Sequence, residues 1–458
     1  MKKVFLIVAC ASILMSSSLY AYDARLLSLN NPTLSHTAAV PAAEFPNLIF
    51  PTDEFGFGIS AVPDTLDIWK FPQALVDQDL FPSHTVILDY LSPTESSGGI
   101  VLGIGKIPLA IGVFLMRPNQ NGWVIGRPRS DFPNLGFDYA TDAGNAIDID
   151  GIPPDAPINL VDLMVAGRLG IFRIGAGVGY SCYNTWDFAG ETIGGIPGSE
   201  IKEDYRCSVV TARLGASVGL NLIFPLSIDL GALLLFSTYN AEYISGPAAV
   251  PLPDVNASVM ANNLGYSIGG RITWSLRSNL DLLLLQEYVN LPQDYEATDN
   301  SGNPLDSTTT RIDSALFESV TGGLGVNWAP LDNMFMNALL TFTWGSGSFY
   351  EEAPAAPVRF GDSIVWTTLR CVVDGEFALK PWLILRGGVG GSICQVASKY
   401  EGGWMADILF TEISPSASAG LGFLITDRIT LDLALNLSNT DATLFQTLAV
   451  QASLEARL

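Results

Sequence analysis

The sequence predicts an all-β protein, a transmembrane antiparallel β-barrel of the outer-membrane type with about 14–16 strands. Apolar residues alternate with polar or very small ones over long stretches, as they do along β-strands. The chain is also 48% hydrophobic and only 15% charged. No apolar run beyond the N-terminus reaches the ~20 residues that a membrane-spanning helix needs, which leaves a closed barrel as the spanning architecture.

The N-terminus predicts export. Two lysines open the chain, residues 4–15 are apolar, and small residues lead up to Ala21. This is the pattern of a secretory signal peptide, so we expect residues 1–21 to be cleaved after Ala21. Localisation in the outer membrane as an integral protein follows from this signal together with the barrel.

Residues 22–83 do not share the alternation of the rest. Seven prolines interrupt this stretch, and proline at this density breaks ladders and helices alike. An irregular aromatic-rich segment before a barrel is a candidate plug for the lumen. A periplasmic cap, or first strands that the pattern obscures, are the alternatives.

Paired strands begin at residue 84, so residues 84–458 are predicted to form the barrel. The hairpin 207–223 and 227–240 sets the pattern, with one face of each strand almost wholly apolar. Short joins inside the pairs and long connections between them are typical of periplasmic turns and extracellular loops. The predicted strands are 84–93, 99–105, 108–117, 160–169, 171–182, 207–223, 227–240, 262–277, 279–290, 313–328, 333–345, 363–379, 382–394, 413–425, 428–438 and 446–458.

The last predicted strand, 446–458, alternates to the end of the chain. It resembles the C-terminal signal by which outer-membrane proteins engage the barrel-assembly machinery, although Leu458 stands where an aromatic residue is usual. The barrel-assembly machinery and outer-membrane lipid are therefore the predicted partners of the folding chain.

Charged residues recur at positions predicted to face the lumen. A charge there must be solvated or paired. Two interpretations remain open, a charged constriction that selects solutes and a ladder of arginine–carboxylate pairs that fills the barrel. The predicted lumen charges are Arg168, Arg173, Arg213, Arg271, Arg370, Arg386, Asp229, Asp374, Glu376 and Asp432.

Five cysteines are present, and Cys10 would leave with the signal peptide. Cys182 and Cys207 flank one predicted loop at the same end of neighbouring strands. In an oxidising compartment they could form a disulfide, and two unpaired thiols are the alternative.

The formal net charge of −23 argues against a nucleic-acid partner. Only two histidines occur, and neither lies in a hydrolase or metalloprotease motif. We therefore predict a protein that is not an enzyme, with no metal and no cofactor.

The cleaved signal, the proline- and aromatic-rich segment with Asn31-Pro32, the long strands and the strand-final C-terminus together resemble one family. It is that of the outer-membrane transporters of long-chain fatty acids and aromatic hydrocarbons (FadL/TodX-like). Thr33 stands where that family has alanine after Asn-Pro. The resemblance implies an N-terminal plug and passive uptake of small hydrophobic solutes. It also implies residues in contact with plug or ligand, here Phe45, Phe50, Phe55, Phe57, Trp69 and Phe71.

Two other functions are compatible with the predicted fold. A general diffusion porin would have an open, wet lumen. A structural or secretion-associated barrel would use its long loops to bind protein partners.

Overall fold

The computed structural model describes the barrel strands and part of the N-terminal region. Within the described residues, no helix combines the length and apolar character needed to cross a bilayer. The described residues are 29, 59–62, 65–77, 84–90, 97–104, 108–117, 158–189, 201–245, 256–299, 309–352, 359–401, 408–426, 429–438 and 448–457.

The described strands form one closed antiparallel barrel, in which each strand pairs with its neighbours in the chain and β1 pairs with β16. This confirms the predicted fold class. The sixteen described strands are β1 His84–Tyr90, β2 Ser97–Gly103, β3 Leu109–Arg117, β4 Ile158–Leu169, β5 Phe172–Ala189, β6 Ile201–Leu220, β7 Leu226–Ser245, β8 Asn256–Arg277, β9 Leu280–Asp299, β10 Thr309–Leu331, β11 Met334–Glu352, β12 Arg359–Lys380, β13 Leu383–Glu401, β14 Ile408–Thr426, β15 Ile429–Ser438 and β16 Leu448–Arg457.

The two faces of the strands differ as the alternation predicts. On β6, Val210 and Leu214 point outward and are exposed, whereas Thr211 and Arg213 point inward and are buried. Exposed leucines, valines, isoleucines and aromatic side chains cover the outside of most strands. A continuous apolar surface of this extent is unfavourable in contact with water and favourable in contact with lipid acyl chains. The barrel therefore spans a membrane, with buried polar residues such as Thr211 and Arg213 facing its interior.

Aromatic residues mark the two edges of this outer surface. Phe224 and Trp274 lie near the short turns with ring centroids 6.3 Å apart, and both are exposed. Phe236 and Trp344 are exposed further along their strands, towards the long loops. Aromatic rings prefer the two membrane–water interfaces, so these residues bound the apolar belt.

Short turns join the strands at one end of the barrel. Between β4 and β5 the turn centres on Gly170, whose φ of 62° lies in the left-handed region that residues with a Cβ rarely adopt. β4 ends at Leu169 and β5 begins at Phe172, so this tight connection requires glycine at position 170.

Several strands are longer than predicted at the opposite end. The second strand of the 262–290 pair was predicted to end at residue 290, but β9 continues to Asp299, and β5 continues to Ala189 rather than 182. The connections predicted at 183–206 and 291–312 are correspondingly shorter. The backbone ladder of β5 and β9 therefore continues beyond the residues over which the strict apolar alternation holds.

Candidate functional site

A short stretch of the N-terminal region lies inside the barrel. We call residues 59–62 and 65–77 the inner segment. It contains two 3₁₀ turns, Thr65–Trp69 and Pro72–Val76. Pro72 lies in the first turn of the second, where its missing N–H costs no hydrogen bond. The short turns and Pro72 keep this part of the chain compact, so that it fits within the barrel.

Two apolar clusters hold the inner segment against the wall. In one, Ile68, Ala74 and Leu75 pack on inward side chains of β2, β3 and β4. In the other, Ile59, Ala61 and Phe71 pack on inward leucines of β9 and β11. The wall residues of the two clusters are Val101, Ala110, Phe114, Met164 and Ala166, and Leu283, Leu285 and Leu339. The interior is therefore apolar on two sides of the segment.

A row of four glycines gives the segment room between these clusters. Gly175, Gly215, Gly231 and Gly269 are register partners across β5, β6, β7 and β8. A Cβ at Gly175 would lie 2.3 Å from the backbone nitrogen of Gln73, and one at Gly231 would lie 2.2 Å from a backbone oxygen. No atom can approach that closely, so the backbone of the segment rests directly on the strand backbones.

A buried ion pair joins the segment to β9. Lys70 donates hydrogen bonds from Nζ to the Glu287 carboxylate and to the Ser267 hydroxyl. Ser267 in turn donates to Glu287 at 2.6 Å. The side chains of Lys70 and Glu287 are 5% and 0% exposed. Because neither charge has access to bulk water, each depends on the other for compensation.

Arg271 of β8 forms a second link. Its guanidinium lies 2.7 Å from Asp67 of the segment and 3.3 Å from Asp229 of β7. It also donates to the Ser60 carbonyl oxygen at 3.2 Å and lies over the Phe71 ring, 5.2 Å from the centroid. One arginine thus contacts two carboxylates and holds both parts of the inner segment, 59–62 and 65–77.

Polar side chains complete the attachment at the rim and at the backbone. Arg173 is 2.5 Å from Asp77, and this pair is about a quarter exposed. Gln73 donates to the carbonyl oxygen of Ala216 at 3.1 Å, and Asn327 of β10 donates to that of Ala61 at 3.1 Å. The Asn327 bond satisfies a carbonyl oxygen of the inner segment, and the Gln73 bond joins the segment to the backbone of β6.

Other lumen charges pair within the wall itself. Arg213 of β6 binds Asp162 of β4 at 2.9 Å, and Arg386 of β13 binds Glu376 at 2.7 Å and Asp432 at 2.5 Å. Of the two interpretations of the lumen charges, these pairs favour the ladder of arginine–carboxylate pairs.

The remaining predicted lumen residues differ in position. Asp374 is buried on the inward face of β12 and Arg370 is half-buried on that face. Arg168, in contrast, is exposed at the β4–β5 turn, where it donates to the Gly170 carbonyl oxygen at 3.3 Å. The strand ends one residue later, so this charge belongs to the rim rather than the interior.

The predicted aromatic contacts divide into two groups. Phe71 is buried and Trp69 is half-buried in the inner segment, with the Trp69 ring 4.8 Å from that of Phe114 and 5.5 Å from the Arg213 guanidinium. Phe45, Phe50, Phe55 and Phe57 lie outside the described residues.

Of the two alternatives for Cys182 and Cys207, a disulfide and two unpaired thiols, the structure favours unpaired thiols. Cys182 is a free thiol. In the register of β5 and β6, Cys182 is opposite Ser208, and Cys207 is opposite Tyr183. Cross-strand partners share a face, and a shift of one residue changes the face, so the register separates these two cysteines.

Sequence reasoning missed the residues of the inner segment that carry charge. Asp67, Lys70 and Asp77 bind the wall, but 22–83 was interpreted through its aromatic residues. A lysine between Trp69 and Phe71 was the available signal, because a charge in an apolar stretch requires a partner. Its partner Glu287 is 217 residues away.

Comparison with known proteins concerns the fold. No family model matches the chain, and no curated protein matches its sequence. A FadL homologue of Pseudomonas aeruginosa is similar in structure, with 11% identity, a TM-score of 0.44, and coverage of 96% of this chain and 100% of that one. The toluene transporter TodX of P. putida has 11% identity, a TM-score of 0.38, and coverage of 96% and 97%. The monoaromatic hydrocarbon channel CymD has 10% identity, a TM-score of 0.37, and coverage of 88% and 96%. These are proteins of the kind that the sequence resembles.

Proposed function

We propose that this protein is an outer-membrane channel for the passive uptake of small hydrophobic molecules, closed at rest by its inner segment. The segment is the plug, and transport requires it to shift within the barrel. The ligand class agrees with the family that the sequence resembles.

The observation that carries the proposal is the combination of an apolar seat with a few buried ionic contacts. A general diffusion porin needs a polar, water-lined lumen. Here the segment packs on apolar side chains from β2–β4 on one side and β9–β11 on the other. A shift of the segment would uncover these surfaces, which favour an apolar solute over water and ions.

The contacts between the inner segment and the wall are of a kind that would allow the segment to shift and the channel to open. They are non-covalent, and the buried ones are charged groups such as Lys70 and Glu287. A buried ion pair is specific in geometry but contributes little net stability, because desolvation offsets much of the attraction. The segment is therefore held in one position without being locked there.

The proposal also includes how the protein reaches the outer membrane, through export and barrel assembly. Residues 1–21 direct export and are removed after Ala21, and β16 engages the barrel-assembly machinery. Sequencing of the N-terminus of protein from outer membranes tests the first step, with Tyr22 as the expected first residue. A start at Met1 would contradict it.

Transport is tested with the full chain in Gram-negative cells. The hydrophobic probe N-phenyl-1-naphthylamine fluoresces when it passes the outer membrane. We expect expression of the protein to accelerate probe entry while entry of a disaccharide stays unchanged. The control is the same chain with Phe114→Asp, which places a charge in the apolar cluster.

Conductance in planar bilayers separates the alternatives. A plugged channel is silent or opens only briefly. A large steady conductance together with disaccharide entry would establish a diffusion porin instead. A barrel that admits neither probe nor sugar and co-purifies with another protein would support the structural function.

A further inference from the structure

The lipid-facing side of β9 carries a polar surface, which we call the β9 outer patch. Its members are Gln286, Tyr288, Asn290 and, on β10, Glu318. The outward positions alternate with the buried inward residues Glu287 and Val289, so the patch faces the outside of the barrel.

Gln286 is the unusual member of the patch. It is exposed on the outer face of β9. At about 3.3 Å per residue and a strand tilt of about 40°, its position is about 15 Å from the turn at Leu280, within an apolar belt about 25 Å tall. An amide at this depth gains no hydrogen bond from acyl chains, and such polar groups are costly in lipid.

The other polar side chains of the patch, Tyr288, Asn290 and Glu318, already form hydrogen bonds with one another. Glu318 accepts a hydrogen bond from Tyr288 at 3.1 Å and one from Asn290 at 2.8 Å. The Tyr266 and Tyr288 rings lie 5.9 Å apart beside them. This network presents an ordered polar surface next to Gln286 and keeps the carboxylate hydrogen-bonded.

Glycines flank Gln286 on both neighbouring strands. Gly270 of β8 and Gly322 of β10 are its register partners. A Cβ at Gly322 would meet no atom within 4 Å. Outward positions on the adjoining strands carry large apolar residues instead, such as Leu234 on β7 and Phe342 on β11. At Gly270 a Cβ would lie 3.0 Å from the Leu230 side chain, so the shallow recess in which another chain can approach the amide is on the Gly322 side.

We infer that the β9 outer patch is the contact surface between two copies of this chain in the membrane. Two copies inserted in the same direction are related by a two-fold axis along the membrane normal, which brings each residue to the same depth as its equivalent. A primary amide is both donor and acceptor, so Gln286 can pair with Gln286 of the other copy through two N–H···O bonds. Lipid offers no such pairing, and an unrelated partner would need a matching amide at the same depth.

Cysteine crosslinking at Leu284 tests the contact and keeps the amide. Leu284 is 47% exposed and lies two positions from Gln286 on the same face. The matched control is Val389→Cys on β13, where the side chain is 62% exposed. Both variants carry Cys371→Ala, because Cys371 is an exposed free thiol, and Cys182 is retained in both as a common background.

On oxidation in proteoliposomes at high lipid excess, we expect Leu284→Cys to form a disulfide dimer and Val389→Cys to stay at background. Adding Gln286→Leu should lower the dimer yield about tenfold, and Gln286→Asn should restore part of it, because the amide pair supplies the specific attraction. Equal yields at Leu284 and Val389, or a yield unaffected by Gln286→Leu, would overturn the proposal.

A second measurement needs no introduced cysteine. Sedimentation equilibrium of the full chain in detergent should give a monomer–dimer equilibrium that Gln286→Leu shifts to monomer by about tenfold in dissociation constant. Leucine on the lipid face is favourable for the barrel, so loss of fold is not the expected cause of a change. A chain that is monomeric in both forms would contradict the inference.

Discussion

Two groups of ionic contacts in the barrel have similar chemistry, but one connects strands of the wall to each other and the other connects the wall to the inner segment. On β12–β15, Arg386 binds Glu376 and Asp432, so all partners belong to the wall. On β5–β9, the wall residues Arg173, Arg271 and Glu287 bind the inner segment. The first group joins strands to strands, and the second joins the wall to the inner segment.

Loss of an ion pair should therefore have a different effect in each of the two groups. If the inner segment closes the channel as proposed, we expect loss of a wall–wall pair to weaken the barrel and leave its closure unchanged. We expect loss of a wall–segment pair to leave the barrel intact and weaken its closure. The two groups can therefore be distinguished by measuring conductance and thermal unfolding on the same variants.

The largest effect on closure is expected from Gly231→Val. A Cβ there would lie 2.2 Å from the Lys70 carbonyl oxygen, so the inner segment must leave its position. We expect a steady open conductance in planar bilayers. The control is Gly219→Val on β6, where a Cβ would meet no atom within 4 Å. If both variants stay silent, the segment does not close the channel.

Glu287→Gln should open the channel more often than the wild type, without a steady open state. It leaves Lys70 buried without a compensating charge, which costs on the order of 3–5 kcal/mol. The reversed pair Lys70→Glu with Glu287→Lys should recover much of the closure. Open probability in single-channel records checks both, and a reversed pair as open as the single variant would argue against direct pairing.

Asp77→Asn should have a small effect on closure. The side chains of Arg173 and Asp77 are 23% and 26% exposed, so water screens their attraction. We expect a slight rise in open probability at low ionic strength that disappears near 1 M salt, where the screening length is about 3 Å. An effect as large as that of Glu287→Gln would mean that the rim pair, rather than the buried pair, holds the segment.

Asp432→Asn should leave closure unchanged and lower barrel stability. Arg386 would lose the partner that lies 2.5 Å away but keep Glu376 at 2.7 Å. Because one charged partner remains, the midpoint of thermal unfolding should fall moderately while conductance stays at the wild-type level. An open channel in this variant would remove the distinction between the two groups.

The strands were accessible from the sequence to a large extent. Each predicted strand corresponds to one in the structure, with the starts and ends near the short turns within a few residues, as for β9, predicted from 279 and observed from Leu280. Alternation is a local property of each strand and depends on the lipid and the lumen rather than on distant residues. The far ends were less accessible, because the strict apolar alternation in the sequence ends before the backbone ladder does.

The site was accessible only in part. Parity identified the inward charges Arg213, Arg271 and Asp229, but not the partners Asp162 and Asp67. The sequence left open whether Cys182 and Cys207 pair, because a shift of one residue in the register of β5 and β6 decides whether two cysteines share a face.

The sequence by itself determined the membrane-spanning barrel and the face on which each strand residue lies, because lipid outside and polar groups inside impose a period of two on every strand. The tertiary structure alone decided which glycines align into the row from Gly175 to Gly269, and which charge meets Lys70. Those outcomes depend on the relative register of strands far apart in the chain and on the closure of the barrel between β1 and β16. No local pattern encodes such contacts, since they arise only when the strands are assembled around the inner segment.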